Sequence, residues 1–175
     1  MKKNLFAIAI AATAVISASN AFAAAGTVNF TGEILDAACT VDVASQDQTV
    51  ALGKYNKSEF SAAGDTTAAK KFNIVLKDCP AAITSAHVAF DGKPDATDSN
   101  LLAIDSSVAG AATGVAINLM TADKADLGLH GDNGYRYTLT TDDNTLDFYA
   151  QYKSTADDVT AGPANSVANF SVVYN

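Results

Sequence analysis

Side chains able to do chemistry are scarce in this chain: two cysteines (Cys39, Cys79), two histidines (His87, His130) and a single arginine (Arg136). Acid/base catalysis and phosphate clamping draw mostly on histidine and arginine, so the composition disfavours an enzyme. No Gly-x-Ser-x-Gly elbow, His-Glu-x-x-His pair or phosphate-cradling glycine loop is present. Asp142, Asp143, Asn144 and Asp147 carry oxygen ligands of the kind calcium takes, but they lack the spacing of an EF-hand loop and read as a solvated turn. His87 sits among strand-like residues and reads as a satisfied strand histidine, and His130 beside Gly131 reads as a loop residue. Tyr135, Tyr137, Tyr149 and Tyr152 offer aromatic faces to a sugar, yet their alternation fits sheet packing better. No cofactor and no metal is expected.

The cysteines need a compartment before they can be read. Lys2 and Lys3, an apolar run from Leu5 to Ile16, and the small-x-small sequence Ala21-Phe22-Ala23 make residues 1–23 a secretory signal peptide by pattern. A run of twelve residues falls short of the roughly 20 that span a bilayer as a helix. Export into an oxidising compartment makes Cys39 and Cys79 a structural disulfide, worth on the order of 4 kcal/mol in the chain-entropy picture. A zinc site would need more ligands than His87 supplies near Cys79.

The chain has 175 residues, 49% of them hydrophobic, with 11 basic and 19 acidic side chains and a net charge of −8. A body of about 150 residues buries enough surface to hold one core unaided. Its negative charge repels phosphate backbones and anionic membranes, so nucleic acid is not an expected partner.

Elements that place these residues read as strands. Val28-Phe30, Ile74-Leu76, Val115-Ile117-Leu119, Leu146-Phe148 and Phe170-Val172-Tyr174 alternate with polar neighbours, and a short strand is expected within Leu101–Ile104. Turns are expected at Asp91-Gly92-Lys93-Pro94, Gly131-Asp132-Asn133-Gly134, Asp142-Asp143-Asn144 and Ala161-Gly162-Pro163. Many short strands at such spacing predict an all-β sandwich. Near the start, Gly26, Val28, Phe30, Gly32 and Ile34 share one face of an extended segment, while Ala164 to Tyr174 forms a second alternating series at the end.

The runs Val28-Asn29-Phe30-Thr31-Gly32-Glu33-Ile34-Leu35-Asp36-Ala37-Ala38-Cys39-Thr40-Val41, Phe72 to Cys79 and Phe170-Ser171-Val172-Val173-Tyr174-Asn175 resemble the subunits of chaperone-usher pili. Gly162 and the penultimate Tyr174 add to the likeness, which is strongest to the major rod subunits of type 1 and F17-like fimbriae. The resemblance implies an incomplete immunoglobulin-like sandwich that lacks its last strand and is completed by donor-strand exchange. It implies three parts: a signal peptide (1–23), a donor extension (24–35) and a pilin domain (36–175). Carried over, the donor face is Gly26, Val28, Phe30, Gly32 and Ile34. Gly162, Phe170, Val172, Tyr174 and Asn175 then mark the acceptor groove and the edge that a periplasmic chaperone recognises, with the Asn175 carboxylate in the chaperone's basic cleft. The implied partners are identical or related pilin subunits, the chaperone and an outer-membrane usher. The implied location is an extracellular fimbrium reached through the periplasm. Burying Val28, Phe30 and Ile34 at roughly 1.5 to 3 kcal/mol each would let assembly run downhill without a nucleotide. The segment ahead of Val28 is short and Gly26 replaces an apolar residue there, so the first donor contact is expected to be weak. A minor adapter or a single-domain adhesin shares the same motifs and is the alternative reading.

Overall fold

The computed structural model describes residues 26–34 and 38–175. The chain divides into two units, Met1–Ile34 and Leu35–Asn175. The expected signal peptide and the ends of the donor extension (Ala24, Ala25 and Leu35) lie outside the described residues. In the first unit, residues 26–34 carry no helix or strand and are all exposed, Val28, Phe30 and Ile34 included. The alternation at Val28-Phe30 is therefore not realised as a strand within one chain, because a strand needs a main-chain partner to exchange hydrogen bonds with.

The second unit is built from β1 (Thr40–Val41), β2 (Lys70–Lys77), β3 (Ser85–Gly92), β4 (Leu102–Ala103), β5 (Val115–Met120), β6 (Tyr137–Thr138), β7 (Asn144–Ser154) and β8 (Ala168–Tyr174). Two short helical turns, Val43–Gln46 and Lys57–Glu59, interrupt the segment before β2. One sheet has the order β1-β2-β7-β5-β4 and the other β6-β3-β8, with every pairing antiparallel. Ile74, Leu76, Ile117, Leu119, Leu146 and Phe148 of the first sheet meet Ala86, Val88 and Phe90 of the second in one core. Phe90 packs edge-on against Phe148 at 5.3 Å between ring centroids, the favoured geometry for aromatic pairs. The result is an all-β sandwich, as the spacing of short alternating runs predicts.

Alternation fixes which face of each strand is buried. On β7, Asn144, Leu146, Phe148 and Ala150 point inward, and Thr145, Asp147 and Tyr149 point outward. All six residues of β5 are buried, because residues 121–127 fold back over its outer face. There Asn118 Nδ2 donates to Asp126 Oδ1 at 2.7 Å and Leu127 N–H donates to the Leu119 carbonyl at 2.9 Å.

One expected turn is displaced. β3 continues through Asp91 and Gly92, and Pro94 bridges Leu102. The chain reverses later, where the Asp95 carboxylate accepts from the N–H groups of Thr97 (2.9 Å) and Asp98 (3.2 Å). Gly92 serves close packing: a Cβ there would come within 2.5 Å of the Leu102 side chain. The expected turn at Asp142-Asp143-Asn144 is present, a bend at 141–142 closed by the buried Asn144 amide, which donates to the carbonyls of Thr140 (2.9 Å) and Asp142 (2.7 Å) as Asn144 opens β7.

Cys39 and Cys79 form the disulfide. It ties the chain entering β1 to the end of β2, beside the buried Asn144.

Candidate functional site

Among the described residues β8 pairs with β3 along one edge only, from Ala86↔Tyr174 to Gly92↔Ala168, and its other edge has no strand partner. Across from that edge run residues 48–55, which form no helix or strand and make no main-chain hydrogen bonds to other main-chain groups among the described residues. Between these two unpaired stretches lies an open, mainly apolar groove. Its larger part, about 760 Å³, is floored by Phe72, Ile74, Phe90, Leu102, Ile117 and Leu119, with Val50 and Leu52 on one wall and Ala168 and Phe170 on the other. A smaller part, about 420 Å³, is lined by Tyr55, Phe60, Val115, Val159, Gly162 and Pro163.

Tyr152, Ala164, Asn165, Gly53 and Lys54 line both parts. Tyr152 is fixed at this junction by donating its hydroxyl to the Ala164 carbonyl at 2.9 Å and by an edge-on contact with Tyr55. The groove is thus a wide apolar trough and a smaller pocket, joined beside one aromatic ring. Such a trough flanked by unpaired main chain is chemically suited to an extended peptide: edge N–H and C=O groups supply hydrogen bonds, and the trough takes alternate apolar side chains.

The acceptor residues expected from the sequence divide between lining and support. Phe170 lines the trough and Gly162 the pocket. A Cβ on Gly162 would collide with the main chain of Gly110, Ala111 and Ala112, so only glycine lets these two segments pass. Val172 and Tyr174 point to the inner face of β8 and are half-buried. The Tyr174 hydroxyl donates to the Cys39 carbonyl at 3.3 Å, and burial pushes its phenol above the usual range. Asn175 is exposed and its N–H donates to the Ser85 carbonyl at 3.0 Å. Gly26, Val28, Phe30, Gly32 and Ile34, the donor face expected from the resemblance, belong to the other unit.

Sequence reasoning missed the second wall and the floor. Val50 and Leu52 alternate with Thr49 and Ala51, a period of two that was there to be read, although no turn signal frames it as a strand.

Other residues with chemical potential are engaged elsewhere. Buried His87 on β3 has its Nδ1 3.4 Å from the Asn175 amide, and His130 Nδ1 lies 2.9 Å from Asp91 Oδ1. Arg136 pairs with Asp132 and holds that carboxyl well below the usual range. Lys77 bonds Asp42 at 2.6 Å and lowers its carboxyl in the same way. The four tyrosines form no common platform: Tyr137 packs on Tyr135 and Phe148, Tyr152 lines the groove, and Tyr149 lies under Lys124. Among the described residues no cluster of His, Cys, Asp or Glu is arranged to hold a metal ion, and no helix is long and apolar enough to cross a membrane.

Comparison with known proteins gives this groove its context. A family model described as "Fimbrial protein" matches residues 28–175. The fimbrial subunit type 1 of Salmonella typhimurium is 43% identical over 152 residues, covering 85% of this chain and 82% of that protein. The type-1 fimbrial protein A chain of Escherichia coli K12 is 41% identical over 182 residues, covering 99% of this chain and all of that protein. Among solved structures, the P pilus rod subunit PapA aligns with a TM-score of 0.67 at 26% identity, over 79% of this chain and all of that one. A subunit of a chaperone-usher pilus aligns with a TM-score of 0.66 at 30% identity, over 86% of this chain and 95% of that one. The sandwich is therefore an immunoglobulin-like pilin fold, and its family is structural and not enzymatic. With the match running through the strands, the disulfide and both walls of the groove, the chain belongs to the fimbrial protein family as a subunit of an extracellular chaperone-usher pilus.

Proposed function

We propose that this chain is the repeating rod subunit of its fimbria, and that it polymerises by lending residues 24–35 to the groove of the neighbouring subunit. The neighbour's segment lies along the free edge of β8 as a new strand and supplies the hydrogen bonds and apolar side chains that the sandwich lacks. Before assembly a periplasmic chaperone fills the same groove and grips the β8 edge near Tyr174 and the Asn175 carboxylate. At the outer-membrane usher the donor segment replaces it. Residues 1–23 direct export and are removed.

One observation carries this reading: the groove divides into a larger and a smaller compartment, in an order that suits the apolar series of the segment. Along the segment the inward series is Val28, Phe30, Gly32, Ile34, which places two large apolar residues before the glycine and one after it. Along the groove a 760 Å³ trough and a 420 Å³ pocket meet beside Tyr152. Antiparallel to β8, the segment lays Val28 and Phe30 in the trough, passes Gly32 over the Tyr152 ring, and seats Ile34 in the pocket beside Gly162. Exposed Val28, Phe30 and Ile34 support the same reading, since apolar side chains left in water gain roughly 1.5 to 3 kcal/mol each on burial. The structural neighbour named as a rod subunit supports a rod position over a minor adapter.

Deleting residues 24–35 from the mature chain tests the reading. The deletion is expected to accumulate in the periplasm bound to its chaperone and to cap filaments without extending them. Filaments of normal length built from that variant would contradict it.

A further inference from the structure

We propose that Glu33 of an incoming second copy pairs with Lys54 and Lys57 at the mouth of the smaller pocket, and that this charge lock fixes the direction and register of donor entry. The inference rests on the donor-strand reading above and adds a polar determinant to it. Glu33 is the only charged residue between positions 24 and 35, and it is exposed. Successive side chains of an extended segment point to opposite sides, so seating Ile34 in the pocket turns Glu33 outward to the rim.

At that rim stand Lys54 and Lys57, both exposed and both lining the pocket. Neither makes a salt bridge among the described residues, whereas Lys71 and Lys77 are engaged. The nearest acid in sequence, Glu59, is occupied: its Oε1 accepts from the Asn56 N–H at 3.0 Å. The opposite end of the same wall carries an acid, Asp47, which lines the trough seven residues before Lys54. A donor entering in the reverse direction would bring Glu33 toward Asp47, like charge to like charge. Charge on this wall thus favours one direction and penalises the other, a use of electrostatics that governs register and rate more than total affinity.

Full-length subunits purified as chaperone complexes provide the test, with filament growth followed at low and high salt. Glu33→Lys and the double variant Lys54→Glu/Lys57→Glu are each expected to slow growth about 2- to 5-fold at low salt, the range for exposed ion pairs. The difference should shrink in 1 M NaCl, where screening reaches only about 3 Å. Combining all three substitutions restores the ion pairs with reversed sign and should recover most of the lost rate. Normal growth of the single-sided variants, or a loss that the combined variant does not recover, would overturn the lock. Ile34→Asp separates the two levels: if it grows normally the donor reading itself fails, and if it is blocked while the charge variants match wild type, only the lock is wrong.

Discussion

Gly162 shows how one missing side chain shapes the site. Its neighbours are the main-chain atoms of residues 110–112, which cannot rotate away as a side-chain tip would. Gly162→Val is therefore expected to destabilise the subunit by about 1 to 3 kcal/mol through overpacking and to distort the pocket. Chemical denaturation of a chaperone-free, donor-complemented form measures this; an unchanged midpoint would show that the 110–112 segment yields freely. Tyr137 makes a second prediction. Half-buried between Tyr135 and Phe148, its phenol is pushed well above the usual range by burial, and the phenols of Tyr152 and Tyr174 are raised by the same cause. A phenol raised in the folded state holds its proton there while the unfolded chain releases it. Stability is then complete below about pH 10 and falls as pH rises beyond it. Tyr137→Phe should flatten part of that alkaline loss in thermal melts between pH 9 and 11.5, and an identical profile would assign the loss to other groups.

On the donor-strand reading, the deciding quantity between β8 and residues 48–55 is the clearance over Tyr152. Gly32→Leu adds a side chain where the groove is expected to be shallowest. Growth of filaments from chaperone complexes should fall at least tenfold, an effect of about 1.4 kcal/mol or more on the barrier. Wild-type growth would place the glycine somewhere other than the junction. Legibility in the sequence followed the same local logic. Ile74-Leu76, Val115-Leu119, Leu146-Phe148 and Phe170-Tyr174 alternate cleanly and stand as β2, β5, β7 and β8. The run Asp91-Gly92-Lys93-Pro94 has turn chemistry, yet pairing of Asp91 and Gly92 with Asn169 and Ala168, and of Pro94 with Leu102, holds it extended. Those contacts come from distant parts of the chain, and no local pattern announces them. Phe170 and Gly162, which line the cavities, are residues that the family resemblance names. Phe72, Phe90, Ile117 and Tyr152 were not legible as site residues, because a groove floor is ordinary core alternation until one knows that a strand is missing above it.

At the level of the molecule, the sandwich has a core drawn from both sheets, one disulfide and, among the described residues, one long uncovered edge. An uncovered apolar edge is a hazard for a secreted protein unless assembly covers it, and a polymer of identical units covers every edge but the last. On the donor-strand reading, each junction would be a β-strand addition with apolar anchors, held by main-chain hydrogen bonds and buried apolar side chains. The central claim is that this chain is one strand short and takes that strand from a neighbour. It is tested most directly by appending a second copy of residues 24–36 after Asn175 through a short flexible linker and measuring the melting temperature and mass in solution. A self-completed monomer that melts well above the chaperone-released wild-type chain and no longer polymerises is the predicted result. A variant that melts where wild type does and still forms filaments would contradict the claim.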